Sequence, residues 1–126
     1  MVTVDISQLS GECNTWRESL RSFRDELNQL KKQLQQAASP QLSKEHLHDV
    51  EHYHNQFHIQ LINVHDLKQA IKAHDRRVQF ETAANNGQLT EDTLAEHERL
   101  FEEYQALEST LKHLKDEFNR FVQKLN

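Results

Sequence analysis

Three stretches of this chain carry apolar residues that alternate three and four positions apart with scarcely a break. In the first, Ile6, Leu9, Cys13, Trp16, Leu20, Phe23, Leu27, Leu30, Leu34 and Ala37 follow one another at that spacing. A helix turns once in about 3.6 residues, so this pattern draws one apolar stripe down one face. In the second stretch the stripe reads Val50, Tyr53, Phe57, Leu61, Val64, Leu67, Ile71, His74 and Val78, with Leu61 one position off the strict repeat. In the third it reads His97, Leu100, Tyr104, Leu107, Leu111, Leu114, Phe118, Phe121 and Leu125. Such stripes are buried only by packing against one another, which restricts the chain to a helical bundle.

The punctuation sets the topology. Among 126 residues there are 2 Gly and 1 Pro, so little of the chain is suited to loops. Ser39-Pro40 breaks the first stripe, with Ser39 or Ser43 available to cap the second helix. Asn85-Asn86-Gly87 is a left-handed helix stop. Thr90 caps the third segment, Glu91 and Asp92 complement its dipole, and Leu89 with Leu94 can staple its entry. The expectation is an all-α fold: an elongated antiparallel three-helix bundle or coiled coil, up-down-up. It forms one domain over 1–126, with helices at about 5–38, 41–85 and 91–125. In that register Arg17 and Arg24 of the first helix face Glu103 and Glu117 of the third.

Two features resemble a spectrin-type repeat, a three-helix coiled coil with a tryptophan in its first helix seam. They are Trp16 and the run Ile71-Lys72-Ala73-His74-Asp75-Arg76-Arg77-Val78, which looks like the end of a spectrin second helix. The third helix departs from that pattern, with Tyr104 and Phe118 where a second tryptophan is common. The resemblance implies a spacer or docking module without catalysis. The chain is also similar in kind to small helical bacterial proteins, which implies no function.

The formal charge is -5 with histidines neutral, and no basic block or stripe occurs. Nucleic-acid binding therefore lacks its electrostatic footprint. No apolar run approaches the ~18 residues of a membrane span. Met1–Ser10 has neither a basic segment nor an apolar one of the secretory kind, which gives the expectation of a cytoplasmic protein. The single Cys13 excludes an internal disulfide and reads most simply as a small core residue; no histidine is next to it in sequence, though His65 could approach within a turn or so. Gly-rich phosphate loops, nucleophile motifs and paired-carboxylate pockets do not occur, and no enzyme is expected.

The chemical peculiarity is histidine, with 9 residues. His48 and His52 are four apart, as are His54 and His58, so each pair shares a helix face. Such pairs chelate zinc, nickel or copper, with Glu45, Asp49 and Glu51 nearby as oxygen donors. The plainer reading is solvated surface side chains, because a specific site needs ligands from a second element. His74 and His97 both fall on apolar stripes. Folding about Asn86-Gly87 brings them within a turn of each other, beside Asp75 and Glu98. They read as a buried neutral pair bonded to each other, to Tyr104 or to a carboxylate, or as a metal pair or a pH switch. A di-iron site is excluded, because both Glu-x-x-His patterns, Glu45–His48 and Glu51–His54, lie on one helix. No cofactor is expected, with a zinc, nickel or copper ion as the alternative.

The functional expectation is a non-enzymatic helical module that acts through protein–protein contacts. Self-association would use apolar residues off the stripes, with Ile59, Ile62 and Phe101 forming a homodimer surface. The alternative is a histidine-rich metal-binding or pH-responsive helical protein.

Overall fold

The computed structural model describes residues 2–3, 5–38 and 42–125. Three helices, α1 (Ile6–Ala37), α2 (Lys44–Ala84) and α3 (Glu91–Leu125), make up most of the chain. Asp5 caps α1 by accepting from Gln8 N at 3.2 Å, and Ser43 caps α2 by accepting from His46 N at 3.1 Å. Of the two serines expected to cap α2, Ser43 does so, and Ser39-Pro40 lie outside the described residues.

The helices run up, down and up. Ser10 and Arg17 of α1 reach Asp75 near the far end of α2, at 3.0 and 3.9 Å. Tyr53, early in α2, donates to the Glu117 carbonyl, late in α3, at 3.4 Å. Between the parallel α1 and α3, Lys115 pairs with Glu26 at 2.5 Å. Arg17 and Arg24 do not meet Glu103 and Glu117. Arg17 turns to Asp75, Arg24 to its neighbour Asp25, and Glu103 to Arg99. Arg24 and Glu103 settle into local pairs at little entropic cost, Arg17 is drawn to the buried Asp75, and an exposed pair gains little by reaching farther.

Burial tracks the stripes. Cys13, Leu20, Phe57, Ile71, Leu100 and Phe118 are fully buried, one or more from each helix. Gln60, Asp75 and Thr93 are buried polar residues outside the stripes. Asp75 is tied to Ser10, and Gln60 accepts from Asn63 at 3.2 Å, so neither carboxylate nor amide is left without a partner.

The end of the bundle at the α2–α3 turn is more elaborate than a helix stop. Asn86 (φ 56°) and Gly87 (φ 82°) take the left-handed conformation expected of them. Gly87 N then bonds back to Thr82 O at 2.9 Å, closing the helix. Two short strands arise next to this turn and were not expected from the sequence. β1 (Val2–Thr3) pairs antiparallel with β2 (Gln88–Leu89), Val2 opposite Leu89 and Thr3 opposite Gln88. Leu89 is fully buried there.

One carboxylate knots the turn. Glu81 accepts from Thr90 N at 3.1 Å, from Thr90 Oγ1 at 3.0 Å, from Arg77 Nε at 2.8 Å and from Thr93 Oγ1. The Thr93 hydroxyl, then the Thr90 amide and Arg77, hold its acid constant down at about 2. A carboxyl with a depressed folded value contributes stability that is complete above the unfolded value of 4.5 and lost as pH falls toward 2. Glu81→Ala is expected to cost about 1.5–3 kcal/mol near neutral pH, the range for hydrogen bonds to a charged group. In urea melts that difference should shrink below about pH 4. A constant difference down to pH about 2 would assign the cost to something other than the charge.

Candidate functional site

Cys13 of α1, His74 of α2 and His97 of α3 converge about two to three helical turns in from the α2–α3 connection. One donor atom from each lies within 4.8 Å of the other two, and all three side chains are buried. Among the described residues this is the one gathering of three ligand-type side chains. His74 Nε2 and His97 Nδ1 are 2.9 Å apart. His97 Nε2 meets Glu12 Oε2 at 3.3 Å. Trp16 roofs the pair, its ring centroid 4.8 Å from that of His97, with Phe101 and Tyr104 stacked on the indole at 5.7 and 6.1 Å.

With both rings neutral, these contacts allow one arrangement of the protons. An ionised carboxylate only accepts, so His97 carries its proton on Nε2 and presents a bare Nδ1. That nitrogen must then accept from His74 Nε2–H. His74 is left with a bare Nδ1, which is buried and has no hydrogen-bond partner. A buried acceptor without a donor costs on the order of 1–3 kcal/mol, and few natural structures carry one without a reason.

The charges around the pair come from all three helices. Glu12 stands on α1, Asp75 and Arg77 on α2, and Glu96 on α3. Burial, and then the charge of His97, push the His74 acid constant below its usual 6.5, with Glu96 and Asp75 opposing. Burial, with Asp75 adding to it, pushes the Cys13 thiol up to about 12. Cys13 is therefore a protonated thiol at neutral pH and a poor nucleophile. At His74 the unfolded chain takes up its proton before the folded one does, so stability is full above 6.5 and falls as pH drops below that value. Metal-free protein should melt at a lower temperature at about pH 5.5 than at about pH 7.5. Equal melting temperatures, followed by circular dichroism, would show that His74 takes its proton as readily when buried.

The sequence brought His74 and His97 together and the structure agrees, but Tyr104 and Glu98 are not their partners. Glu12 takes that place, from across the bundle. In sequence terms His65 could approach Cys13 within about a turn. His65 instead sits beside Leu20, Arg21 and Arg24, about two and a half turns away along α2. The six residues between α1 and α2 leave the relative sliding of the two helices open, and the stripes look alike at every turn, so sequence spacing does not choose the level. His48, His52, His54 and His58 are all exposed on α2. Among the described residues, no third ligand-type side chain gathers with either pair.

No helix of the described residues is long and apolar enough to cross a membrane. No family model, no curated protein and no solved structure matches this chain.

Proposed function

We propose that the protein is a non-enzymatic helical module that acts through protein–protein contacts, beginning with a second copy of itself, in a cytoplasmic setting. The observation that carries this reading is the outer face of α2. Ile59 and Ile62 are 45 and 47 % exposed, a large apolar area to leave in water on a helix whose inner face is already well buried. They lie one turn apart, next to Asn63 and Asp66 on the rim of an open groove between α2 and α3. The groove holds about 560 Å³, and Leu67, Ala70, Ala106 and Leu107 contribute apolar lining. A helix laid against this face would cover both isoleucines and enter the groove with one apolar edge.

Phe101 belongs to a different surface. It stacks on Trp16 at 5.7 Å, on the α1 side of α3, while Arg99, Glu103 and Ala106 face the groove. The self-association surface in this reading is therefore Ile59, Ile62 and the groove, without Phe101. The likeness to a spectrin-type repeat fits the same kind of role, a spacer or docking unit.

The test is mass against concentration by sedimentation equilibrium. Wild-type protein is expected to gain mass as concentration rises. Ile59→Glu and Ile62→Glu are expected to abolish the gain while leaving stability within about 0.5 kcal/mol, as exposed positions do. A wild-type protein that stays monomeric throughout, with both variants indistinguishable from it, removes the self-association reading.

A further inference from the structure

We infer that Cys13, His74 and His97 form a binding site for one zinc ion, which clamps the three helices together at the turn end of the bundle. None of the residues of the proposed self-association surface takes part in it.

One thiol and two imidazoles form a borderline-soft donor set that suits zinc and its neighbours and does not suit magnesium or calcium. Zinc takes sulfur at about 2.3 Å and nitrogen at about 2.0–2.1 Å, which places donor atoms about 3.3–3.8 Å apart in a tetrahedral site. The three donors lie within 4.8 Å of one another, and the two imidazoles approach to 2.9 Å. A shift of about an ångström, shared among three side chains, separates this arrangement from that geometry.

An unpartnered atom points the same way, independently of the donor set. His74, only 4 % exposed, has its Nδ1 without a partner, so no hydrogen bond holds the proton off that nitrogen; a proton on Nδ1 leaves Nε2, 2.9 Å from His97 Nδ1, with a lone pair for an ion. Glu12 also occupies a supporting role common at such sites. It accepts from the outer nitrogen of His97, which orients the ring and leaves the inner nitrogen free to bind. Glu12 is thus a positioning residue, and a solvent molecule completes four-coordination.

Binding balances in atoms and charge. The Cys13 S–H bond breaks, a sulfur–zinc bond forms, and the thiol proton goes to solvent. Each imidazole gives one lone pair and keeps one proton on its other nitrogen. The His74–His97 hydrogen bond is exchanged for two nitrogen–zinc bonds. Two positive charges then meet one thiolate and the Glu12 carboxylate, so the buried site is neutral. Each helix contributes one ligand, so the ion resists separation of any helix from the other two.

The site is tested on the full chain without an affinity tag, stripped with chelator and kept reduced by a phosphine. Cobalt(II) is titrated in as the spectroscopic probe and then displaced with zinc. The expected result is one cobalt per chain, with the visible bands of four-coordinate cobalt and a near-ultraviolet thiolate-to-cobalt transition. One proton should be released per ion. Cys13→Ala is expected to remove the thiolate transition. Glu12→Gln, at a half-exposed position that leaves the core intact, is expected to keep the transition and weaken zinc binding about ten- to a hundredfold. Should Cys13→Ala fail to fold, the wild-type spectrum and Glu12→Gln still decide. Two results overturn the inference. One is the absence of a thiolate transition in the wild-type protein. The other is binding that survives Cys13→Ala and disappears when His48, His52, His54 and His58 are all replaced by alanine, which would place the ion on the α2 surface.

Discussion

Phe118→Ala is expected to cost about 3–5 kcal/mol, a large part of the roughly 5–15 kcal/mol that holds a protein of this kind together. Phe118 is fully buried. Its ring meets Phe57 edge-on at 5.0 Å and Tyr53 at 5.4 Å, both from α2, and Phe121 of α3 at 6.4 Å. These four rings are the main packing between the start of α2 and the end of α3. Each pair adds about 0.5–1.5 kcal/mol beyond the area it buries. Alanine would leave a hole walled by stiff aromatic rings, which collapse poorly into it. A urea melt followed by circular dichroism should show the full loss, with a fall in melting temperature on the order of 10–20 °C. A loss under about 1 kcal/mol would mean that the cluster closes over the gap or is not closed in the first place.

The second large effect is expected at the opposite end of the bundle. Trp16→Ala should also cost about 3–5 kcal/mol, for a different reason. Trp16, 4 % exposed, is the large side chain through which α1 meets α3 near the cysteine–histidine cluster. It touches His97, Phe101 and Tyr104 in one stack, and Phe23 extends the stack along α1, 6.1 Å from Tyr104. Removing the indole deletes that wall and admits water to His97. Trp16→Phe keeps a ring in place and is expected to recover more than half of the loss. Both variants are read by circular dichroism in urea, since Trp16 is the single tryptophan and its fluorescence goes with it. If Trp16→Ala and Trp16→Phe lose equal amounts, the indole's own edge carries the packing, and a ring of any kind is not enough.

These two substitutions mark how differently the two ends of the bundle could be read from sequence. Phe57, Phe118 and Phe121 sit on stripes whose spacing is a local property of each helix. Their burial is expected from periodicity alone, and it is observed. Trp16 is on a stripe too, but its neighbours depend on how far α3 slides along α1. The site shows the same division. The His74–His97 contact was legible because the left-handed Asn86-Gly87 stop marks where the chain reverses and so fixes the level of one helix against the next. The approach of Cys13 was not, because the sequence of the equally long α1–α2 connection carries no such left-handed stop to mark the level of one helix against the other. Glu12 was not singled out for a similar reason, since a half-exposed glutamate beside a stripe looks like any solvated charge until another helix presents an imidazole to it. Asp75 lies one position off the stripe and looks like a surface residue, yet Ser10 and Arg17 of α1 reach over it.

The amino-acid sequence by itself determined everything with a short reach. Helix periodicity, the Asp5, Ser43 and Thr90 caps and the left-handed Asn86-Gly87 stop each depend on residues within a turn or two. They are enough to dictate three helices in up-down-up order. The tertiary structure decided the axial level of each helix against the others. That level is set by the summed fit of many similar apolar contacts, none of which is individually distinctive. It alone placed a thiol, two imidazoles and a carboxylate from three helices around one point, and drew Val2–Thr3 across to Gln88–Leu89.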